Sequence, residues 1–260
     1  MKKLNKYIEF ITTKFRTFFK QSYFNAEGVT LKYMFDKCSS SKDIVVIFSA
    51  CTRKGIKARY NYVRTLKDVE VNKLFILDDF GVDSRGCYYL GVAPEYQVEK
   101  ATKHLIEMIT KKVNAEKVIF CGSSKGGWAA LNFGIEVENS VIIAGAPQYL
   151  LGNYLNCNAN MHILDYINGK GNIEESVNDL NKWLKYKIEN KEIVKNQTIY
   201  LHYSEHEHTY EEHIKFLISD LDKSGLSMSK DVKNYTDHWD VSKYFPEFLI
   251  KSIDMELINK

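Results

Sequence analysis

Short apolar runs alternate with amphipathic segments along most of the chain. The runs are continuous stretches of Val, Ile, Leu and Phe, and they fall at residues 43–50, 73–79, 140–144 and 197–203 and at the start of 117–134. Continuous apolar runs of this length are typical of parallel strands covered on both faces, because a strand with one exposed face would alternate. Since helical segments separate these runs, we predict a mostly parallel sheet with helices on both faces.

The remaining segments complete this α/β pattern. Residues 23–36 alternate about a turn at Glu27-Gly28 and predict a hairpin at the edge of the sheet. A short last strand is expected within residues 225–237. Helical periodicity is found at residues 98–113, 209–221 and 241–257.

We predict two parts in the chain, an N-terminal helix and one larger domain. An apolar stripe with basic residues around it is formed by Leu4, Ile8, Ile11, Phe15 and Phe18. It predicts an amphipathic helix over residues 1–22, which could pack on its own domain or on a partner subunit, or lie on an anionic membrane surface. Residues 23–260 form the predicted α/β domain, with a helical insertion at 148–196.

Composition narrows the class of protein. A length of 260 residues suits one large core. The net charge of +3 is small and the basic residues are spread along the chain, so nucleic acid is not an expected partner. The five cysteines have no C-x-x-C spacing, which argues against a disulfide framework and a zinc site. Cysteines without a disulfide pattern fit a reducing cytoplasm, which is the location that we expect. No stretch is both long and apolar enough to span a bilayer.

The strongest chemical signal lies in residues 117–134, where a buried strand leads through a glycine turn into a helix. Residues 122–126, GSSKG, fit the G-x-S-x-G pattern, which exposes a serine hydroxyl on a strained strand-to-helix turn. Gly122 and Gly126 would let the two backbones approach closely. A phosphate-binding turn or an ordinary turn is the alternative, but the placement favours Ser124 as a nucleophile at a helix N-terminus.

A serine nucleophile requires a base, and the base requires an acid that fixes its tautomer. In α/β-hydrolases the chain order is serine, acid, histidine. Of the seven histidines, His238 alone follows the last predicted strand, so we predict that it is the base. Glu207 and Glu205 both follow the strand that ends at Tyr203, and Glu207 is better placed because a further turn residue normally precedes the acid. This Glu/His cluster is not H-E-x-x-H, which argues against a metal site.

Two further groups are expected at the carboxyl ends of the strands. In a serine hydrolase fold, one oxyanion amide comes from the residue after the nucleophile and the other from an earlier strand-to-helix loop. The candidates are therefore the Lys125 amide and the amide of Ala50 or Cys51. Asp78 and Asp79 end another strand, where they could face a ligand or act as turn and capping residues.

Several motifs together resemble a known family. They are GSSKGG with FSA, YNYVRTL and DSRGCYYL upstream and GAPQ and DHWD downstream, within residues 35–248. They are similar to those of the capsule polysaccharide O-acetyltransferases of the α/β-hydrolase type and, more broadly, of capsule-biosynthesis and accessory-secretion proteins. The resemblance places the family's serine on Ser124, its acid on Glu207 and its histidine on His238. The family's acid can be an aspartate, so this chain departs from that pattern.

The resemblance implies a reaction and its partners. Acetyl would pass from acetyl-CoA through an acetyl-serine to a sugar hydroxyl of a surface polysaccharide, with no permanently bound cofactor. The helix of residues 1–22 could bring the enzyme to a capsule-synthesis complex at the inner membrane surface. Two alternatives remain open: an esterase or thioesterase with the same groups, and a non-catalytic partner in glycan assembly or secretion.

An enzyme that uses acetyl-CoA must also hold phosphates. Basic side chains occur in two loops expected beside Ser124, at Arg53, Lys54, Lys57 and Arg59 in the first loop and at Arg85 in the second. Arginine and lysine there could pair with phosphate oxygens. The alternative is a solvated basic loop without a ligand.

Overall fold

An eight-stranded sheet forms the centre of the structure, a computed structural model that describes residues 19–190 and 192–258. The strands are β1 (Gln21–Ala26), β2 (Val29–Asp36), β3 (Ile44–Phe48), β4 (Asn72–Leu77), β5 (Val118–Ser123), β6 (Val141–Gly145), β7 (Thr198–Ser204) and β8 (Ser227–Lys233). Their order across the sheet is β1-β2-β4-β3-β5-β6-β7-β8. Strand β2 is antiparallel to both of its neighbours, whereas strands β3 to β8 are parallel to one another.

The helices lie between and after the strands. The described residues contain α1 (Gln97–Val113), α2 (Lys125–Gly134), α3 (Leu151–Leu155), α4 (Met161–Asn168), α5 (Ile173–Glu189), α6 (Lys215–Ser224) and α7 (Val241–Ile258). A π-helical turn, Tyr210–Ile214, precedes α6, and a 3-10 turn, His238–Asp240, precedes α7. Helices α3, α4 and α5 occupy the region between β6 and β7 in which the helical insertion at 148–196 is predicted.

Strand β3 has an apolar core on each side. Its side chains alternate between two clusters: Ile44, Val46 and Phe48 pack in one, and Val45 and Ile47 pack in the other. The first cluster includes residues of α1, α2 and the helices between β6 and β7, and the second includes residues of α7. Each such side chain contributes about 1.5 to 3 kcal/mol on burial. Burial on both faces explains why the strand has no polar positions.

The predicted hairpin is present at the edge of the sheet. Strands β1 and β2 pair antiparallel, with Ala26 opposite Val29. Glu27 and Gly28 form the turn between them and have positive φ angles of 53° and 74°. Two consecutive positive φ angles are the requirement of the tight hairpin turn that matches strand twist.

The predicted N-terminal helix of residues 1–22 falls almost entirely outside the described residues. Phe19 and Lys20 are helical, but Gln21 and Ser22, which the prediction assigned to the helix, begin β1 instead. They pair with Met34 and Tyr33 across the hairpin. None of the helices in the described part of the chain is both long and apolar enough to cross a membrane.

A buried polar cluster fixes α5 to the body of the domain. Lys187 of α5 donates from Nζ to Asn132 Oδ1 at 2.6 Å and to Glu99 Oε1 at 3.2 Å. Trp183 Nε1 of the same helix donates to Asn132 Oδ1 at 2.7 Å. Because Asn132 belongs to α2, the helix that follows Ser124, the region between β6 and β7 is joined directly to the element that carries the candidate nucleophile.

Candidate active site

Ser124 lies on a strained turn between β5 and α2. Its φ and ψ angles are 52° and −121°, a combination that residues with a side chain rarely adopt. The Ser124 amide donates to the Gly145 carbonyl at 2.7 Å, and the Ser124 carbonyl accepts from the Trp128 amide at 3.0 Å. These bonds hold the strained backbone so that the hydroxyl remains at the edge of the sheet.

The glycines of the turn have the steric role that the sequence predicts. A Cβ atom on Gly122 would lie 2.5 Å from the Gly126 carbonyl oxygen, and one on Gly126 would lie 2.7 Å from the Phe48 carbonyl oxygen. Real Cβ atoms do not approach backbone this closely. The turn therefore brings α2 against both β5 and β3, and larger residues at either position would displace Ser124.

The structure brings Ser124, His238 and Glu207 together in that order. His238 Nε2 lies 2.9 Å from Ser124 Oγ, and His238 Nδ1 is hydrogen-bonded to Glu207 Oε1. Glu207 is buried and also accepts a hydrogen bond from Thr209 Oγ1 at 2.8 Å. A carboxylate on Nδ1 keeps the proton on that nitrogen and leaves Nε2 free to accept the serine proton. The arrangement can therefore activate Ser124 for attack on a carbonyl carbon.

Two loops that meet at Ser204 position the histidine and the acid. Ser204, the last residue of β7, donates from Oγ to the Tyr235 carbonyl at 2.6 Å and accepts from the Tyr235 amide at 3.1 Å. The loop after β7 continues from Ser204 to Glu207, and the loop after β8 continues from Tyr235 to His238. Asp237 caps the 3-10 turn by accepting from the Trp239 amide at 3.0 Å. The contact between His238 and Glu207 is therefore supported by the hydrogen bonds of the Ser204 hydroxyl to the Tyr235 backbone at the end of β7.

The other predicted acid does not occupy this position. Glu205 is exposed, whereas Glu207, two residues later, is buried against His238. The geometry thus favours Glu207 over Glu205. Another histidine, His202, is buried within β7, and its Nδ1 atom lies 2.7 Å from Asp231 Oδ2.

The candidate oxyanion amides are distinguished by their partners. The Ala50 amide already donates to Asn61 Oδ1 at 2.9 Å, which favours Cys51 over Ala50. Cys51 lines the same cleft as Ser124, and Lys125 begins α2 directly after the serine. Burial raises the pKa of the Cys51 thiol, so this sulfur stays protonated near neutral pH and does not compete with Ser124 as a nucleophile.

The side chain of Lys125 has a separate, structural role. It is completely buried and donates from Nζ to Asp78 Oδ2 at 2.9 Å, to the Asp78 carbonyl at 3.1 Å and to the Arg85 carbonyl at 3.0 Å. Asp78 in turn accepts from the amides of Cys87 and Tyr89. Of the two readings of Asp78, ligand or turn residue, the structure supports the second. A lysine inside the otherwise small and apolar start of α2 is the sequence signal for this buried pair.

An open cleft passes over Ser124 and His238. Its volume is about 2040 Å³, which exceeds the roughly 300 to 1,000 Å³ of a site for one small ligand. Two acidic side chains line it, Asp237 and Asp240. Six basic side chains line it, Arg53, Lys54, Arg59, Arg64, Arg85 and Lys243. Basic side chains therefore outnumber acidic ones on the lining, and the cleft is larger than a site for one small ligand.

The predicted phosphate ligands have different surroundings. Arg85 is buried and donates to Asp83, to the Thr52 carbonyl at 3.1 Å and to His162 Nε2 at 2.9 Å, so its guanidinium is committed to loop contacts. Arg53 is exposed and lies 4.9 Å from the ring of Trp239, the residue after His238. In the described structure, Lys57 is exposed but is not part of the cleft lining.

Gln148 is the contact of Ser124 that sequence reasoning missed. It follows β6, is completely buried and donates from Nε2 to Ser124 Oγ at 3.0 Å. The GAPQ motif contains this residue at the carboxyl end of a buried strand, where α/β sheets place their active sites. That position was the available signal, but a single glutamine has no chemistry that separates it from an ordinary turn residue.

Comparison with solved structures identifies the fold. No family model and no curated protein matches the sequence. Among solved structures, the capsule O-acetyltransferase of Neisseria meningitidis serogroup A has a TM-score of 0.72 at 21% identity, over 90% of this chain and 98% of that one. An S-formylglutathione hydrolase from Agrobacterium tumefaciens has a TM-score of 0.59 at 12% identity, over 88% and 91%. The chain has the α/β-hydrolase fold.

A further similarity is to a protein that assembles with others. The Glycosylation Associate Protein complex from Streptococcus agalactiae matches with a TM-score of 0.71 at 19% identity, over 93% of this chain and 47% of that one. The predicted fold class, an α/β-hydrolase fold, is confirmed. The structure has the expected parallel sheet, with an antiparallel edge, and the expected turn at Ser124.

Proposed function

We propose that this protein is an O-acetyltransferase that moves an acetyl group from acetyl-CoA to a sugar hydroxyl of a bacterial surface polysaccharide. The main support is the contact of 2.9 Å between His238 Nε2 and Ser124 Oγ in a chain similar to an O-acetyltransferase. The structure of a mutant of that Neisseria enzyme in complex with CoA aligns with 91% of this chain, with a TM-score of 0.71 at 20% identity.

In the first half-reaction, Ser124 would become acetylated. Ser124 Oγ attacks the thioester carbon while His238 Nε2 accepts the serine proton, and Glu207 stabilises the imidazolium through Nδ1. The negative charge on the carbonyl oxygen is met by the Lys125 and Cys51 amides and by the N-terminus of α2. When the carbon–sulfur bond breaks, the leaving thiolate of CoA takes the proton from His238.

In the second half-reaction, the sugar would accept the acetyl group. His238 Nε2 takes the proton of the sugar hydroxyl, whose oxygen attacks the acetyl carbon. The bond from that carbon to Ser124 Oγ breaks, and the proton returns from His238 to Ser124. The cleft volume of about 2040 Å³ supports a route in which donor and acceptor reach the same serine from one open site.

The charge of the cleft supports a phosphate-bearing donor. Arg53, Lys54 and Arg59 are exposed on its lining, and an arginine or lysine can pair with phosphate oxygens. Arg85 would contribute indirectly, because its hydrogen bond to the Thr52 carbonyl stabilises the loop that lines the cleft. Use of acetyl-CoA would place the enzyme in the cytoplasm, and the amphipathic segment predicted before β1 is our candidate for contact with a capsule-synthesis complex at the membrane.

Transfer to water is the second candidate, since Ser124 is partly exposed in an open cleft that water can enter. The decisive assay mixes the protein with acetyl-CoA in the presence and absence of de-O-acetylated capsular polysaccharide, and it measures CoA thiol, free acetate and glycan ester. The transferase predicts thiol release that rises with the glycan and an equal amount of glycan ester. Acetate release unaffected by glycan would instead support the hydrolase, and no thiol release would support a non-catalytic partner.

A further inference from the structure

Gln148 contacts the reacting oxygen of the site. Its Nε2 atom donates to Ser124 Oγ at 3.0 Å and lies 3.3 Å from the Ala146 carbonyl oxygen, to which it also donates. The same atom is 3.4 Å from His238 Nε2. The Gln148 side chain is completely buried, whereas Ser124 and His238 are half-buried at the cleft.

The orientation of the carboxamide follows from its neighbours. Tyr88 donates its hydroxyl hydrogen to Gln148 Oε1 at 3.3 Å, and the Ala146 carbonyl can only accept. Burial raises the pKa of the Tyr88 phenol well above its usual value, so Tyr88 keeps the hydrogen that it donates. A flipped amide would place its oxygen against the Ala146 carbonyl oxygen. The NH2 group must therefore face Ser124.

The hydrogens around Ser124 Oγ can then be assigned. The two hydrogens of Gln148 Nε2 go to Ser124 Oγ and to the Ala146 carbonyl, which leaves none for His238. The serine hydrogen is consequently directed to His238 Nε2, at 2.9 Å. Of the two lone pairs on Ser124 Oγ, one accepts from Gln148 and the other remains for attack on the acyl carbon.

The backbone that carries Gln148 is itself constrained. Ala146 has a φ angle of 40°, in the left-handed region that residues with a Cβ rarely occupy, and its amide donates to the His202 carbonyl at 2.8 Å. Tyr88 also has a positive φ angle, 55°, and packs edge-on against Trp128 with a centroid distance of 5.7 Å. Strained backbone held by surrounding structure is a recurring feature of active sites.

We propose that Gln148 is a catalytic residue whose Nε2–H group stabilises negative charge on Ser124 Oγ. During acylation this charge develops as His238 removes the serine proton. During transfer it develops again, because the bond between the acetyl carbon and Ser124 Oγ breaks and leaves its electron pair on that oxygen before the proton returns from His238. A hydrogen bond to a charged oxygen is about twice as strong as one to a neutral oxygen, so the contact favours both transition states over the resting serine.

The role in acylation applies to any acyl donor, whereas the role in glycan transfer rests on the proposed function. The test therefore uses p-nitrophenyl acetate, whose burst of p-nitrophenol reports acylation of Ser124 and whose steady rate reports turnover. In Gln148→Met, a residue of the same length without a donor, we expect the burst rate constant and the steady rate to fall by about tenfold to a hundredfold. The KM is expected to change by less than about threefold, because the lost interaction belongs to the transition state.

Gln197→Met is the matched control. Gln197 is buried like Gln148, and its Nε2 atom lies 2.6 Å from the Ile135 carbonyl oxygen and 3.2 Å from those of Val137 and Ile193. It directly precedes β7 and has no contact with Ser124 among its hydrogen bonds in the described structure. Its replacement should lower the midpoint of unfolding and leave the burst rate constant of the folded protein unchanged.

Tyr88→Phe is the second variant and keeps Gln148 in place. It removes the hydroxyl that orients the carboxamide, so the burst rate constant should fall by about threefold to tenfold. A folded Gln148→Met variant with the wild-type burst rate constant would overturn the proposal. If Gln148→Met does not fold, an unchanged burst in Tyr88→Phe overturns it instead.

The two proposals can fail separately. A wild-type protein that is acylated at Ser124 but transfers nothing to glycan would refute the proposed function, and a slow burst in Gln148→Met would still support the role of Gln148. Wild-type protein that shows no acylation of Ser124 would overturn both.

Discussion

At the scale of single residues, the position of His238 depends on the hydrogen bonds of Glu207. Glu207 is buried and accepts two hydrogen bonds at Oε1, from His238 and Thr209, while Oε2 has no partner among the described residues. The role that we propose for Glu207 requires only one oxygen, the one bonded to the imidazole. Glu205 is exposed and makes no such contact within the described structure.

The first prediction separates these two carboxylates. Glu207→Gln should lower kcat by about three to four orders of magnitude, because an amide in this position can hold the imidazole in the wrong tautomer. Glu205→Gln is the matched control and should change kcat by less than about twofold, since surface substitutions away from the site have small effects. Turnover of acetyl-CoA by both purified variants provides the comparison. A larger loss in Glu205→Gln would transfer the acid role to that residue.

A second prediction concerns His213, which lies near the site without taking part in it. Burial, with His208 and His238 nearby, lowers the pKa of His213 from 6.5 to about 4. Its Nδ1 atom accepts from the Leu150 amide at 3.2 Å. The unfolded chain therefore binds a proton more readily than the folded protein, so stability is present above pH 6.5 and is lost as the pH falls toward 4.

This loss should reach up to about 2.5 kcal/mol between pH 7 and pH 4.5. His213→Asn keeps an acceptor for the Leu150 amide but does not titrate. Between pH 7 and pH 4.5, the free energy of unfolding of this variant in urea should therefore fall by about 2.5 kcal/mol less than that of the wild-type protein. Titrating groups that do not interact with His213 contribute equally to both proteins, so the difference reports His213 and its coupling to His208 and His238. Identical pH dependence in the two proteins would contradict the assignment.

At the scale of elements, the buried pair of Lys125 and Asp78 connects the start of α2 to the loop after β4. Both side chains are completely buried, and Asp78 also holds the amides of Cys87 and Tyr89. The pair thus fixes the position of α2, whose N-terminus carries Ser124. Loss of either partner would leave the other charge buried without compensation.

The third prediction follows from this pair. Lys125→Met should lower the free energy of unfolding by about 3 to 5 kcal/mol, and addition of Asp78→Asn should recover part of that loss. Lys111→Met is the control, because Lys111 pairs with Glu107 on the exposed surface of α1 and should cost less than about 0.5 kcal/mol. Urea unfolding of the four proteins tests the ranking. Equal losses in the two single lysine variants would contradict it.

Sequence pattern was sufficient for the elements and for part of the site, for identifiable reasons. Strand β3 is buried on both faces, so its five apolar residues indicate a strand without tertiary information. Ser124 is found because the turn imposes glycines at fixed spacing. In contrast, the partners of Lys125 and Ala50, which are Asp78 and Asn61, lie in loops that have no periodicity. Contacts of this kind depend on how loops meet at the sheet edge, which local patterns do not record.

At the scale of the whole molecule, the cleft is enclosed by segments from distant parts of the chain. The loop after β3 supplies Arg53, Lys54 and Arg59, and the segment before α7 supplies His238 and Trp239. The contact between Arg53 and Trp239 joins the two segments above the site. A donor that binds here would therefore meet the basic loop and His238, the proposed base, together.

The fourth prediction tests the basic loop. Combined Arg53→Gln, Lys54→Gln and Arg59→Gln substitutions should raise the KM for acetyl-CoA by at least about tenfold, equivalent to about 1.4 kcal/mol. Hydrolysis of p-nitrophenyl acetate should barely change, because that ester carries no phosphate. Lys57→Gln is the control from the same loop, outside the cleft lining in the described structure, and should leave both substrates unaffected. Equal losses on both substrates would mean that the loop supports the fold or the oxyanion site instead.

Acetylation of Ser124 by acetyl-CoA tests the central claim most directly. Mass spectrometry of the intact protein and of its peptides, with acetyl-CoA and no acceptor, should find one acetyl group on Ser124 that disappears when de-O-acetylated polysaccharide is added. Ser124→Ala should keep the wild-type midpoint of unfolding and take up no acetyl group there. Acetyl transfer at the wild-type rate by Ser124→Ala, or a transferable acetyl group on another residue, would contradict the account.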